Sequence, residues 1–204
     1  MTDLSFAQLL TFNLTLLAAM ASPGPAFVLA VRNAIAGGRR AGVLTGLGLA
    51  SMATIWTGCA LLGLAALFEL VPWLYLAMKI AGAGYLLCLA WSMWRGARTA
   101  LDLDQGRTVA RPFHQGLLVN LANPKSVLFA GAVIVVIFPA GLSLTDSALI
   151  MANHWLVEAI VYSLMAVGLS TPPARAAYMR AKSLADRVAA TILGALGLRL
   201  LIER

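Results

Sequence analysis

The stretch Phe113 to Phe129, FHQGLLVNLANPKSVLF, is apolar enough to enter a bilayer, yet Asn123-Pro124-Lys125 sits in its middle. A proline has no N–H for the carbonyl four residues back, and its ring clashes with the preceding turn, so a helix must break there. At membrane depth the freed backbone groups find no water, and such backbone persists only inside packed protein or beside a wet cavity. A second break, Ser22-Pro23-Gly24-Pro25, interrupts the first apolar stretch of the chain. Two interrupted helices at matching places of two halves are the sequence pattern of a transporter that binds its substrate near the bilayer midplane.

The composition agrees with that reading. Of 204 residues, 61% are hydrophobic and 11% charged, against roughly 25% charged in an ordinary soluble domain. The expected class is an all-α polytopic membrane protein forming one transporter domain over residues 1–204, with no room for a soluble catalytic domain. The net charge of +7 falls in short connections between apolar runs, where it reads as a topology signal and not as a nucleic-acid surface. Cys59 and Cys88 stand singly in apolar surroundings, which fits neither a disulfide framework nor a redox motif. Ala19-Met20-Ala21 resembles a signal-peptidase site, but the preceding segment carries Asp3 and no Lys or Arg, so an uncleaved first span is expected.

Six spans are predicted: Phe6 to Val31, Ala41 to Phe68, Val71 to Trp94, His114 to Phe138, Asp146 to Leu169 and a short Val188 to Ile202. Arg32, Arg39 and Arg40 follow the first; Arg95, Arg98, Arg107 and Arg111 follow the third; Arg175, Arg180, Lys182 and Arg187 follow the fifth. The other internal connections and the amino terminus have no Lys or Arg, which places the amino terminus outside and the basic loops in the cytoplasm, with Arg199 and Arg204 dissenting. The halves, about 1–94 and 114–204 around the basic loop 95–113, then have opposite orientation. They form two inverted three-helix repeats, each beginning with a broken helix.

Ser22-Pro23-Gly24-Pro25 followed by Gly37-Gly38, Gly42 and Gly46; Lys79 to Leu86, KIAGAGYL, with Trp91; and Phe113 to Phe129 together resemble the lysine exporter and homoserine/threonine resistance (LysE/RhtB) family. The resemblance covers most of the chain. It implies a small carrier that expels amino acids or related metabolites across the bacterial inner membrane, driven by the proton gradient. Phe138-Pro139-Ala140-Gly141 and His154-Trp155 depart from the pattern.

Candidate residues follow from depth. Lys125 and Glu158 each lie near the middle of a span, where a charge costs at least about 2.5 kcal/mol and is functional by default. Lys125 suits a substrate carboxylate; Glu158, read as the one acid well inside a span, suits a proton or a substrate ammonium. His154, Glu158 and Tyr162 recur every four residues and share a helix face. Pro23, Gly24, Pro25, Asn120, Asn123 and Pro124 frame the breaks, and Lys79, His154 and Tyr162 are further candidates. Gly38, Gly42 and Gly46 read as a small-residue stripe for close helix packing. Expected partners are a small amino acid, protons and lipid, with self-association left open and no cofactor, metal or nucleic acid. Competing readings are an exporter of another solute such as a metal cation, a membrane-embedded enzyme, and a non-transporting scaffold. The enzyme would need a His-Glu-x-x-His, Gly-x-Ser-x-Gly or Cys-x-x-Cys motif that the chain does not contain.

Overall fold

The computed structural model describes residues 4–21, 24–70, 73–97, 109–139, 141–169 and 171–202. Among these, seven helices and no strands occur: α1 Phe6–Ala21, α2 Pro25–Leu70, α3 Trp73–Gly96, α4 Pro112–Leu121, α5 Pro124–Ile137, α6 Leu144–Leu169 and α7 Pro172–Ile202.

Helix starts are written in local chemistry. Ser5 opens α1 with a reciprocal box in which the Ser5 N–H donates to Gln8 Oε1 at 2.8 Å and the Gln8 N–H donates to Ser5 Oγ at 3.2 Å. The Asp146 N–H donates to Ser143 Oγ at 3.0 Å, and the Ser143 hydroxyl donates back to Asp146 Oδ2 at 2.7 Å, opening α6. Asn123 caps α5, its Oδ1 accepting from the Lys125 N–H at 3.1 Å, with Pro124 at the first helical position where no donor is needed.

The 46 residues of α2 are not one rod. Gly38 sits at φ 75°, ψ −179°, a conformation a side chain would oppose. The Asn33 amide donates to Thr45 Oγ1 at 2.9 Å, whereas twelve residues of straight helix span about 18 Å. The chain therefore doubles back at Gly38 into a hairpin of two limbs, 25–37 and 39–70. Gly38 is thus the turn and not part of the packing stripe. Gly42 and Gly46 do pack: a Cβ at Gly42 would lie 2.6 Å from Ala34 Cβ and 2.7 Å from Ala166 Cβ, and one at Gly46 would lie 2.5 Å from Tyr162 Cβ.

The second limb of α2 is the hub, packing against α6 and α4, while α3 packs against α7 and α5, and α1 against α7. At Gly48 and Gly116 a Cβ would overlap the Phe113 and Thr45 carbonyl oxygens, so α2 and α4 meet backbone to backbone. By length and hydropathy, Pro25–Gly63 and Leu144–Leu169 suffice to cross a bilayer. Pro112–Leu121 with Lys125–Ile134, bent by 63°, makes a third such unit.

Two expectations need correction. The first apolar run ends as a helix at Ala21, and its remainder belongs to the α2 hairpin. The last helix is not short: α7 begins at Pro172 and runs 31 residues, so Arg175, Arg180, Lys182 and Arg187 lie within it and not in a loop. Besides Glu158, two further acids are buried in helices, Asp146 in the first turn of α6 and Asp186 in α7. Hydropathy counts each charge as a penalty and cannot see that Lys182 and Asp186, one turn apart, neutralise each other in place.

Candidate functional site

Both breaks converge on one cavity. Gly24, Ala26 and Phe27 of the first break line it with Asn123, Lys125, Ser126 and Phe129 of the second; Leu16, Ala19 and Met20 of α1, Ala53 of α2, and His154, Glu158 and Tyr162 of α6 complete the wall. It encloses about 50 Å3, which at roughly 10–15 Å3 per water holds about four waters.

Lys125 belongs to both breaks at once. Its Nζ donates to the Ala19 carbonyl at 2.8 Å, and a Cβ on Gly24 would lie 3.7 Å from its Cδ and 3.8 Å from its Nζ. The Ala19 carbonyl is the one whose helical donor would be residue 23, a proline with no N–H to give. The second break repeats the arrangement. The Asn120 carbonyl, orphaned by Pro124, accepts from Trp56 Nε1 at 3.4 Å and from the Asn123 N–H at 3.2 Å. The side chains of Asn120, Asn123 and Ser126 knot the turn: the Ser126 hydroxyl and the Asn123 amide both donate to Asn120 Oδ1, the Asn123 amide also reaches Ser126 Oγ at 3.2 Å, and Asn120 Nδ2 donates to the Leu49 carbonyl at 2.7 Å. The Tyr85 hydroxyl closes the corner by donating to the Lys125 carbonyl at 3.1 Å.

From α6 a second polar line reaches the cavity. His154 Nδ1 and Thr57 Oγ1 lie 2.7 Å apart, and His154 Nε2 approaches Glu158 Oε1 to 3.3 Å without hydrogen-bond alignment. Glu158 Oε2 is buried with no hydrogen-bond partner among the described residues. Phe12 packs edge-on against His154 at 5.4 Å between ring centroids. One wall thus offers an ammonium flanked by two helix N-termini, at Pro25 and Pro124, whose dipoles favour anions. In the same lining, α6 offers a carboxyl group with an oxygen to spare.

Of the residues singled out from sequence, Gly24, Asn123, Lys125, Glu158, His154 and Tyr162 line this cavity. Asn120 is one hydrogen bond behind it, and Pro25 and Pro124 start the helices that flank it. Pro23 lies outside the described residues; Lys79 is in α3, with its side chain outside them. Trp56, Thr57 and Ser126 escaped the sequence reading, because nothing local marks which turn of a neighbouring helix will face a break.

An apolar helical bundle that buries opposite charges around two broken helices has the build of a membrane transporter. The chain belongs to the LysE type translocator family, whose model matches residues 17–204. It is 33% identical over 186 residues to the uncharacterized membrane protein YahN of Escherichia coli K12, covering 89% of this chain and 83% of that protein. It is 30% identical over 206 residues to the threonine efflux protein of the same strain, covering 96% and 98%. It is 35% identical over 136 residues to the homoserine/homoserine lactone efflux protein of Salmonella typhimurium, covering 62% and 61% of the two chains. No solved structure matches.

Proposed function

We propose that this protein exports small amino acids across the bacterial inner membrane in exchange for protons, as a single transporter domain over residues 1–204. The observation that carries the reading is that Lys125 of α5 and Glu158 of α6 line one cavity together with residues of both helix breaks. A zwitterion fits that polarity: its carboxylate faces the Lys125 ammonium and the N-terminal turns of α2 and α5, and its ammonium faces the spare oxygen of Glu158. Competition between a proton and that ammonium for Glu158 gives exchange its sign, because only one of them can occupy the carboxylate at a time. Room for about four waters is too little for the roughly eight heavy atoms of a threonine-sized substrate, so loading requires the lining to move. Relatives named for threonine and homoserine efflux support a short, uncharged side chain.

The helix order supports six spans in two inverted repeats. The first is α1 with the limb 25–37, then 39–70, then α3; the second is α4 with α5, then α6, then α7. Arginines in the first turnaround and around residue 111 support a cytoplasmic location for those connections, with the amino terminus outside.

The test is counterflow in proteoliposomes loaded with unlabelled threonine or homoserine, followed by uptake of label with and without an imposed pH gradient. Exchange above protein-free vesicles, accelerated by the gradient, is expected. Label uptake indistinguishable from protein-free vesicles for every small amino acid tried would end the proposal.

A further inference from the structure

Away from the central cavity, α7 carries a second set of buried polar groups. Lys182 and Asp186 are 3% and 1% exposed and pair at 2.8 Å. The Lys182 ammonium also reaches the Gly96 carbonyl at 3.2 Å and the Ala97 carbonyl at 3.5 Å, at the end of α3. All three of its protons therefore have acceptors, and the negative end of the α3 dipole adds to its hold. Asp186 is less well served: Oδ1 is buried with no partner among the described residues, and so is the Tyr178 hydroxyl. Tyr178, Lys182 and Asp186 recur every four residues and so share one face of α7.

The Tyr178 end of that face touches the lining of the central cavity. Phe27, which lines the cavity, stacks on Tyr178 with 5.3 Å between ring centroids and 28° between planes. Ala18 and Ala21 of α1 share a groove with Ala181 and Ala185 of α7.

We propose that the Lys182–Asp186 pair is a second, transit subsite for an amino-acid zwitterion, lying behind the Phe27–Tyr178 stack on the path between the cytoplasm and the Lys125 cavity. The proposal rests on the export reading and extends it. A zwitterion carries the same two charges as the pair, so it can insert by exchange: its carboxylate takes Lys182 while its ammonium takes Asp186, including the idle Oδ1. One internal ion pair is replaced by two of the same kind, so the substrate is held without being trapped, as a transit site requires. The carbonyls of Gly96 and Ala97 keep Lys182 compensated while the pair is parted. Phe27, shared by both sites, stands where the passage between them must open.

The experiment measures half-saturation for threonine separately at each face of oriented proteoliposomes during counterflow. For Asp186→Asn the half-saturating concentration should rise about tenfold at one face, the loss expected for one charge-assisted hydrogen bond, and stay unchanged at the other. The charge-balanced double variant Lys182→Met with Asp186→Asn, which buries no lone charge, should insert normally and show the same one-sided defect. Equal defects at both faces would assign Asp186 to the central cavity and overturn the subsite. Wild-type affinity of the double variant at both faces would reduce the pair to a structural clip and overturn it too. Wild-type protein that exchanges no amino acid at either face would instead bring down the export reading, and the subsite with it.

Discussion

The Lys125 ammonium and the Ala19 carbonyl, 106 residues apart in sequence, are joined by a 2.8 Å hydrogen bond that ties one helix break to the other. Pro23 leaves that carbonyl without its helical donor, and a cation from the opposite half supplies one. The same bond shields a charge that lipid would not tolerate. A substrate carboxylate that draws Lys125 away from Ala19 would therefore loosen the first break as it binds, which links occupancy to movement of α1.

Lys125→Met should accordingly reduce threonine counterflow by at least about a hundredfold, since it removes both the charge proposed to meet the substrate and the link between breaks. Glu158→Gln should preserve binding of the carboxylate end yet flatten the dependence of export on the pH gradient, because an amide takes no proton at working pH. Both proteins should remain inserted and monodisperse by size exclusion in detergent. Gradient-dependent counterflow at the wild-type rate in both variants would return these residues to structural polar contacts.

Thr57→Val tests the second polar line. It removes the hydroxyl 2.7 Å from His154 Nδ1 and leaves a buried ring nitrogen unpaired, at a cost of about 1–3 kcal/mol in stability. The melting temperature in detergent should fall by several degrees, and threonine half-saturation should rise a few-fold as the His154 ring beside Glu158 loses the contact that holds it in place. An unchanged melt would mean that His154 finds another partner.

Gly116→Ala should be severe for its size. Its new methyl group would overlap the Thr45 carbonyl oxygen and prise α4 from α2, an overpacking change of about 1–3 kcal/mol or more. Gly131→Ala, where a Cβ meets nothing within 4 Å, is the matched control. Thermal unfolding of the two side by side should separate them clearly, with Gly131→Ala close to wild type.

Orientation can be read with single cysteines after Cys59 and Cys88, both exposed, are replaced by serine. Cysteines at Phe6 and Leu144, 80% and 78% exposed, should react with a membrane-impermeant thiol reagent in intact cells. Cysteines at Arg40 and Ala110, also exposed, should react only after the membrane is permeabilised. The reverse pattern would invert the topology drawn from the arginines.

Much of the candidate site was legible in the sequence because proline acts locally. Whatever a chain does elsewhere, Pro23 and Pro124 withhold an N–H from residues 19 and 120, so the positions of both breaks follow from covalent structure alone. Membrane character is equally local, being a sum of residue hydropathies. Lys125 and Glu158 stood out because a charge inside an apolar run is improbable without a purpose.

What only the tertiary structure decided is how the freed groups are satisfied and which charges cancel. Nothing near Ala19 in sequence announces Lys125 as its donor, nor Trp56 as the donor to Asn120. Lys182, Arg187 and their neighbours read as a basic loop because a hydropathy sum is blind to pairing. Burial of Lys182 against Asp186 and the carbonyls ending α3 turns that apparent loop into the middle of a 31-residue helix. Breaks are properties of one segment, whereas their repair is a contact between segments distant in sequence, and only packing the helices together determines which partners meet.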